Sequence, residues 1–254
     1  ANALKRDWQL YLLLMIPVAL VVIFNYASYG GIRMVFMDYK PAKGYAGSKW
    51  VGWATFQKVF KDKDFIRALK SSIVFNLLDL AVGFPMPIIL ALILNELRFP
   101  RFKKVTQTIL YLPHFLSWVV LAMIFRDLLD GSGIINSGLM ALGIIKEPIV
   151  FLGNNSWFQG LMIGTDVWKE FGYGAIIFIA ALTSINTELY EAAAIDGAGR
   201  LQRIWHITLP GIAVTIVLVA TLNIANILNA GFDQIYNLYS PIVYSTGDII
   251  DTYV

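Results

Sequence analysis

Polar positions thin out along this chain in five places, at Leu10–Tyr29, Ser71–Leu94, Thr106–Leu128, Trp157–Leu182 and Gly211–Ala230. Each run is long enough to cross a bilayer core, which takes about 20 residues of helix. The pattern predicts an all-α, polytopic membrane protein, read as one transmembrane domain over 1–254. Between the first two runs, segment 30–70 is polar but holds Trp53, Phe56, Val59 and Phe60 at helical spacing, the pattern of a folded cap or an interfacial helix. The second long polar interval, 184–210, predicts a helix, a break, another helical turn and a proline. Asn186 or Thr187 caps the first helix, and Tyr190, Ala193, Ala194 and Gly197 give it a small-residue face. Gly197 takes the left-handed position that ends the helix. Leu201, Ile204 and Trp205 share one side of the following turn, where Asp196 is a candidate cap, and Pro210 opens the next span. Such an exposed, rigid element is suited to docking.

Composition supports the membrane reading. Hydrophobic residues make up 57% of the chain, against roughly 45–50% in soluble domains, and the mean hydropathy is +0.64. With no Cys, disulfides, thiolate nucleophiles and Cys-ligated metals are excluded. The two histidines, His114 and His206, lie far apart, so no metal site is expected. A net charge of +3 spread over loops gives no nucleic-acid footprint. The chain also has no phosphate-binding Gly-x-x-x-x-Gly-Lys-Ser/Thr run, so any nucleotide is handled elsewhere. Lys5-Arg6 before the first apolar run resembles the start of a signal peptide. That run is too long for one, however, and Ala27-Ser28-Tyr29 is no cleavage site, so it reads as a retained span.

Charge counting leaves orientation open. Arg98, Arg101, Lys103 and Lys104 mark the second loop as cytoplasmic, and Lys5-Arg6 and Arg200/Arg203 agree. Against them, nine Lys or Arg lie between Arg33 and Lys70, in a loop that should then be outside.

The interval 184–210 also carries a family resemblance. Glu191-Ala192-Ala193, three residues, Gly197, nine residues, then Ile207-x-Leu209-Pro210 is similar to the signature loop of permease subunits of bacterial ATP-binding-cassette importers. Three further stretches resemble the carbohydrate-uptake branch: Val51-Gly52 through Phe56 to Asp64-Phe65 and Ala68-Leu69, Leu112-Pro113 with Ser117 and Val119-Val120, and Gly133-Ile134-Ile135-Asn136. The look is that of permeases for oligosaccharides cut from polysaccharides such as alginate or rhamnogalacturonan. The resemblance implies a type I importer permease fold in the bacterial inner membrane, with the N-terminus and the 184–210 loop cytoplasmic. It implies that Glu191, Ala192, Ala193, Asp196, Gly197, Ala198, Ile207, Leu209 and Pro210 couple this chain to a separate ATPase. The implied partners are a second permease, two ATP-binding subunits and an extracytoplasmic solute-binding protein, with ATP and Mg on the ATPases and no cofactor on this chain. It also leads one to expect a further span beyond Val254, and the start at Ala1 without Met predicts residues missing from the N-terminus.

Candidate chemistry lies in the last two spans, where polar residues are costly in lipid and usually face the bundle interior. Asp166, Lys169 and Glu170 stand beside Trp168 and Tyr173, with spacing that permits an intrahelical charge network. Asn223, Asn226 and Asn229 form an i, i+3, i+6 stripe. Both groups suit a sugar path, and both also suit plain structural contacts. Gly160-x-x-x-Gly164 allows close helix approach, and Pro85, Pro87 and Pro113 predict kinks. Lys169 and Arg126 are the cations able to meet a uronate. Permeases for amino acids, peptides or phosphate, a secondary transporter, and a membrane enzyme built on Asp166/Glu170 are the competing readings.

Overall fold

A computed structural model of the chain describes residues 7–225, 227, 229 and 231–253. Its internal contacts separate at Ile66/Arg67 into two units, considered in turn.

In the first unit, α1 (Trp8–Val21) runs on through a π turn (Val22–Tyr26) and a 3-10 stretch (Ala27–Phe36), making 29 helical residues in all. At about 1.5 Å per residue this exceeds the roughly 30 Å hydrocarbon core, so the helix outlasts the expected Leu10–Tyr29 at both ends. A two-residue antiparallel pair follows, β1 (Met37–Asp38) with β2 (Lys49–Trp50), in which Met37 faces Trp50. Trp50 stacks on Phe36 at 5.7 Å, and Phe36 also meets Trp53 and Phe56 at 5.5 Å. These contacts fix α2 (Ala54–Val59), the amphipathic helix expected from Trp53, Phe56, Val59 and Phe60.

In the second unit every predicted span except the fourth is broken. The second run forms α3 (Lys63–Val82) and α4 (Pro85–Glu96), beginning well before Ser71. At the break, the Gly83 and Phe84 amides both donate to the Asp79 carbonyl, and Pro85 restarts the helix where its missing N–H is harmless. The third run is α5 (Pro100–Tyr111), a 3-10 turn (Leu112–Phe115) and α6 (Trp118–Leu129), bent by 100° where the turn ends, at Leu116 and Ser117. After α7 (Ile134–Ala141) comes α8 (Asn155–Leu182), an unbroken 28-residue helix. Then follow α9 (Thr187–Ile195), α10 (Arg200–Arg203), a π turn (Ile204–Thr208), a short turn Leu209–Gly211, α11 (Ala213–Ala225) and α12 (Phe232–Leu238).

The organising element is α8. Its buried positions Phe158, Met162, Lys169, Gly172, Ala175, Phe178 and Leu182 keep a helical period, so one stripe faces protein along its length. The N-terminal third of the stripe joins Phe75, Ala122, Ile235, Leu238, Val243 and Ile249 in one core. Its C-terminal third joins Leu90, Ala91, Leu94 and Ile212 in another. Polar residues occupy the layer between.

Close helix approach comes at Gly172, where a Cβ would collide with the Leu110 carbonyl of α5. Gly160 and Gly164 have nothing within 4 Å in this chain. The Gly-x-x-x-Gly pair therefore plays no part in packing among the described residues.

Candidate functional site

The signature loop folds as a knob. The Asn186 side chain accepts from the Glu188 amide at 3.0 Å and caps α9. The Ala-rich stretch Glu191–Ala194 continues the helix because Ala costs least in helix propensity. Gly197 ends it at φ +78°, with Gly197 N–H donating to Ala194 O and Ala198 N–H to Ala193 O, a Schellman turn. Asp196 is the C-cap of this helix, and the second turn is entered at Gly199, whose amide donates to the Gln202 side chain at 2.8 Å. Asp196 therefore does not cap the second turn. The acid in the first turn, where the dipole favours it, is Glu188. Glu191 lies a turn later and is exposed, so dipole stabilisation does not account for its presence.

Ile195 is 87% exposed, with Leu201 at 72% and Trp205 at 67%, so the knob turns apolar surface outward. Beneath it a groove of about 420 Å³ is lined by Ala193, Ala198, Gln202, Arg203, His206 and Ile207. Two ties hold the knob to the helices behind it. Tyr190 OH meets Thr208 Oγ1 at 3.0 Å, and Arg200 faces Glu96, at the end of α4, at 3.9 Å. Pro210 sits at the start of the short helix Leu209–Gly211, with Leu209 half-buried beside it, and the chain then bends by 62° into α11. Ala192 is exposed along with Glu191.

The polar layer divides into two sites. In the first, Asp166 and Asn229 line a cavity of about 270 Å³ with Asn76, Asp79 and Gln234. An adjoining space of about 140 Å³ adds Asn223 to Asn76, Asp79 and Asn229. Asn223 lies in the last turn of α11 and Asn229 beyond the helix, so no continuous helical stripe joins them. Asn226 lies outside the described residues. Gln234 is buried, donating to Met162 O at 2.6 Å and Thr165 Oγ1 at 2.8 Å, and fixes the cavity wall.

The second site surrounds the 3-10 turn at Pro113. Lys169 is buried, and its Nζ donates to Glu170 Oε1 at 2.6 Å and to the His114 carbonyl at 3.1 Å. The other Glu170 oxygen meets His114 Nδ1 at 2.7 Å. The His114 ring lies flat on Tyr173 at 3.7 Å. The expected charge network thus exists as Lys169–Glu170–His114, and Asp166 is directed to the cavity instead. Lys169 is engaged in this cluster and is unavailable to a cargo carboxylate. Trp168 stands apart, edge-on to Phe125 at 5.8 Å. Arg126 donates to Asn237 O at 2.7 Å, away from both sites.

Sequence reading passed over Asn76, Asp79 and His114. A lone carboxylate inside the apolar run Leu77–Val82 was signal enough for Asp79. His114 gave none, because its partner is 56 residues away.

Residues 72–240 match the family described as "Binding-protein-dependent transport system inner membrane component". Over 253 residues the chain is 44% identical to protein LplB of Bacillus subtilis (strain 168), covering 99% of this chain and 79% of LplB. It is 43% identical over 254 residues to the polygalacturonan/rhamnogalacturonan transport system permease protein YteP of the same strain, covering 99% and 78%. A chain in a crystal structure of a bacterial alginate ABC transporter, in complex with an alginate pentasaccharide-bound periplasmic protein, superposes with a TM-score of 0.89 at 39% identity. That match covers 99% of this chain and 83% of the other.

Proposed function

This chain belongs to the family of binding-protein-dependent transport system inner membrane components, and on that premise we propose that it forms the path for an oligosaccharide in an ATP-driven importer. It is a transport subunit of type I importer permease fold and not an enzyme. A solute-binding protein delivers the cargo, a second permease completes the path, and two ATPase subunits hold ATP and Mg. The N-terminus and the knob face the cytoplasm, which places segment 30–70 outside.

The observation that carries this reading is the knob itself. A nine-residue helix with an exposed Ile195 and an exposed Glu191 is clamped at its base and closed by a glycine at φ +78°. It is rigid enough to move as a body when the ATPase pair closes. The Tyr190–Thr208 contact passes that motion to the stem of α11, and the Arg200–Glu96 pair passes it to α4. Both helices belong to the unit that encloses the cavity, so displacing them alternately opens and closes its two sides.

At the cavity, Asn76, Asn223 and Asn229 offer amide donors and acceptors, and Asp79 and Asp166 offer carboxylate acceptors. That set suits a cargo rich in hydroxyls. Tyr173, half-exposed and braced by His114, supplies an aromatic edge on the neighbouring turn of α8.

Uptake of labelled oligosaccharide into proteoliposomes holding the complete importer tests the reading. Glu191→Lys or Gly197→Trp should abolish ATP-driven uptake while the subunit stays in the membrane. Wild-type uptake by either variant, or uptake that persists without the ATPase subunits, would overturn it. Asp79→Asn should raise the half-saturating oligosaccharide concentration, and an unchanged uptake curve would remove that residue from the path.

A further inference from the structure

The cap between the first two spans has a charge that the transport function leaves unexplained. Between the two helices, over 37–62, Lys40, Lys43, Lys49, Lys58 and Lys61 outnumber Asp38 and Asp62, giving +3 locally, as much as the whole chain carries. In the orientation proposed above the cap is outside, where short loops normally carry few cations. Its surface is also unusually aromatic, with Trp50 62% exposed, Trp53 67% and Phe60 59%.

These residues are arranged in two sides. Around α2 and its flanking turns, Trp53, Phe56, Val59 and Phe60 fall on one side of the helical wheel, with Ala54, Lys58 and Lys61 opposite. Phe56 is held by Phe36 and Trp53 within the cap, which leaves Trp53 and Phe60 pointing out. Both ends of the cap are tied to apolar helices. It starts directly after the 29-residue helix Trp8–Phe36 and ends where the apolar helix Lys63–Glu96 starts. Indole rings with lysines beside them, tethered at both ends to membrane-crossing helices, are placed at headgroup level.

We propose that the cap is an interfacial foot. Trp50, Trp53 and Phe60 lie at the boundary of headgroups and acyl chains, and the lysines engage phosphates of anionic phospholipids in the outer leaflet. The exposed cations thereby have their counter-charge in the lipid, and the foot pins the outer end of α1. The proposal rests on the orientation proposed above and is independent of the cargo.

Because the chain has no Cys, single nitroxide labels report depth in the resting complex, assembled with cysteine-free partner subunits in nanodiscs. Labels at Trp53→Cys and Phe60→Cys should show an oxygen-to-nickel-chelate accessibility ratio several-fold above that at Ala54→Cys, which lies on the lysine side. Replacing Lys58 and Lys61 by Glu should lower the ratio at the Phe60→Cys label in discs of phosphatidylglycerol and leave it unchanged in phosphatidylcholine. Equal, water-like ratios at all three positions would overturn the proposal. So would labels that become shielded only when loaded binding protein is added, which would make the cap a protein-docking surface. Indifference to the charge reversal in phosphatidylglycerol would overturn the anionic-lipid part. None of these readings uses ATP or sugar, so they fail or hold separately from the uptake measurements.

Discussion

At the scale of single residues, burial decides which polar groups matter. Lys169 is 7% exposed and serves two acceptors, the Glu170 carboxylate and the carbonyl that the turn at Pro113 leaves free. Lys169→Met keeps the side-chain length and removes both bonds. It should cost about 1 kcal/mol, the net worth of a hydrogen bond whose acceptors stay part-exposed and can turn to water, and appear as a lower thermal midpoint of the purified subunit. An unchanged midpoint would mean the Pro113 turn is held by packing alone. The Arg200–Glu96 pair is different, being 3.9 Å apart with both partners well exposed. Exposed pairs contribute about 0–1 kcal/mol, so Arg200→Ala should leave the midpoint in place. A large drop would show that this pair carries more than its geometry indicates. Gly197 is the one position in the knob where the backbone itself requires a glycine, since a left-handed conformation costs other residues roughly 1–2 kcal/mol.

At the scale of elements, the informative contrast is between glycines on one helix. Gly172 touches the Leu110 carbonyl, whereas Gly160 has open space. Gly172→Val should destabilise by about 1–3 kcal/mol through overpacking, and Gly160→Val should leave the isolated subunit unaffected. Thermal melts of both variants in detergent check this, and equal melts would refute the close approach of α5 and α8. The helix breaks follow the same logic. Pro85 and Pro113 were legible as break sites because proline forfeits a bond inside a helix but none in its first turn, so a new helix tends to start there. The size of the bend, 100° in the third run, was not, because the helix this turn packs against, with Lys169 donating to the His114 carbonyl, is distant in sequence.

At the scale of the whole molecule, the transport reading requires one path from knob to cavity. Tyr190 OH and Thr208 Oγ1 form its shortest link. Tyr190→Phe should preserve the complex and its ATP hydrolysis while lowering sugar imported per ATP hydrolysed, and an unchanged ratio would move the transmission elsewhere. Much of this architecture was readable beforehand. The fourth hydropathy run, the capped helix at Asn186 and the terminating Gly197 are local signals, and each appears where the sequence placed it, while the other runs are broken or differently bounded. The cavity was only half readable. Asp166, Asn223 and Asn229 were picked out as polar intruders in apolar runs, but their joining with Asn76 and Asp79 spans more than 150 residues of chain.

Sequence alone therefore determined the membrane environment, the apolar runs and the shape of the 184–210 knob, because hydrophobic length, propensity and capping act within a few residues of one another. Only the tertiary structure decided the rest. It turned Asp166 toward Asp79 and Lys169 toward His114, gave close approach to Gly172 and denied it to Gly160, and left Glu191 free where Glu188 satisfies the dipole. The physical reason is that a side chain's direction and partners are set by helices distant in sequence, whose packing angle no local pattern encodes.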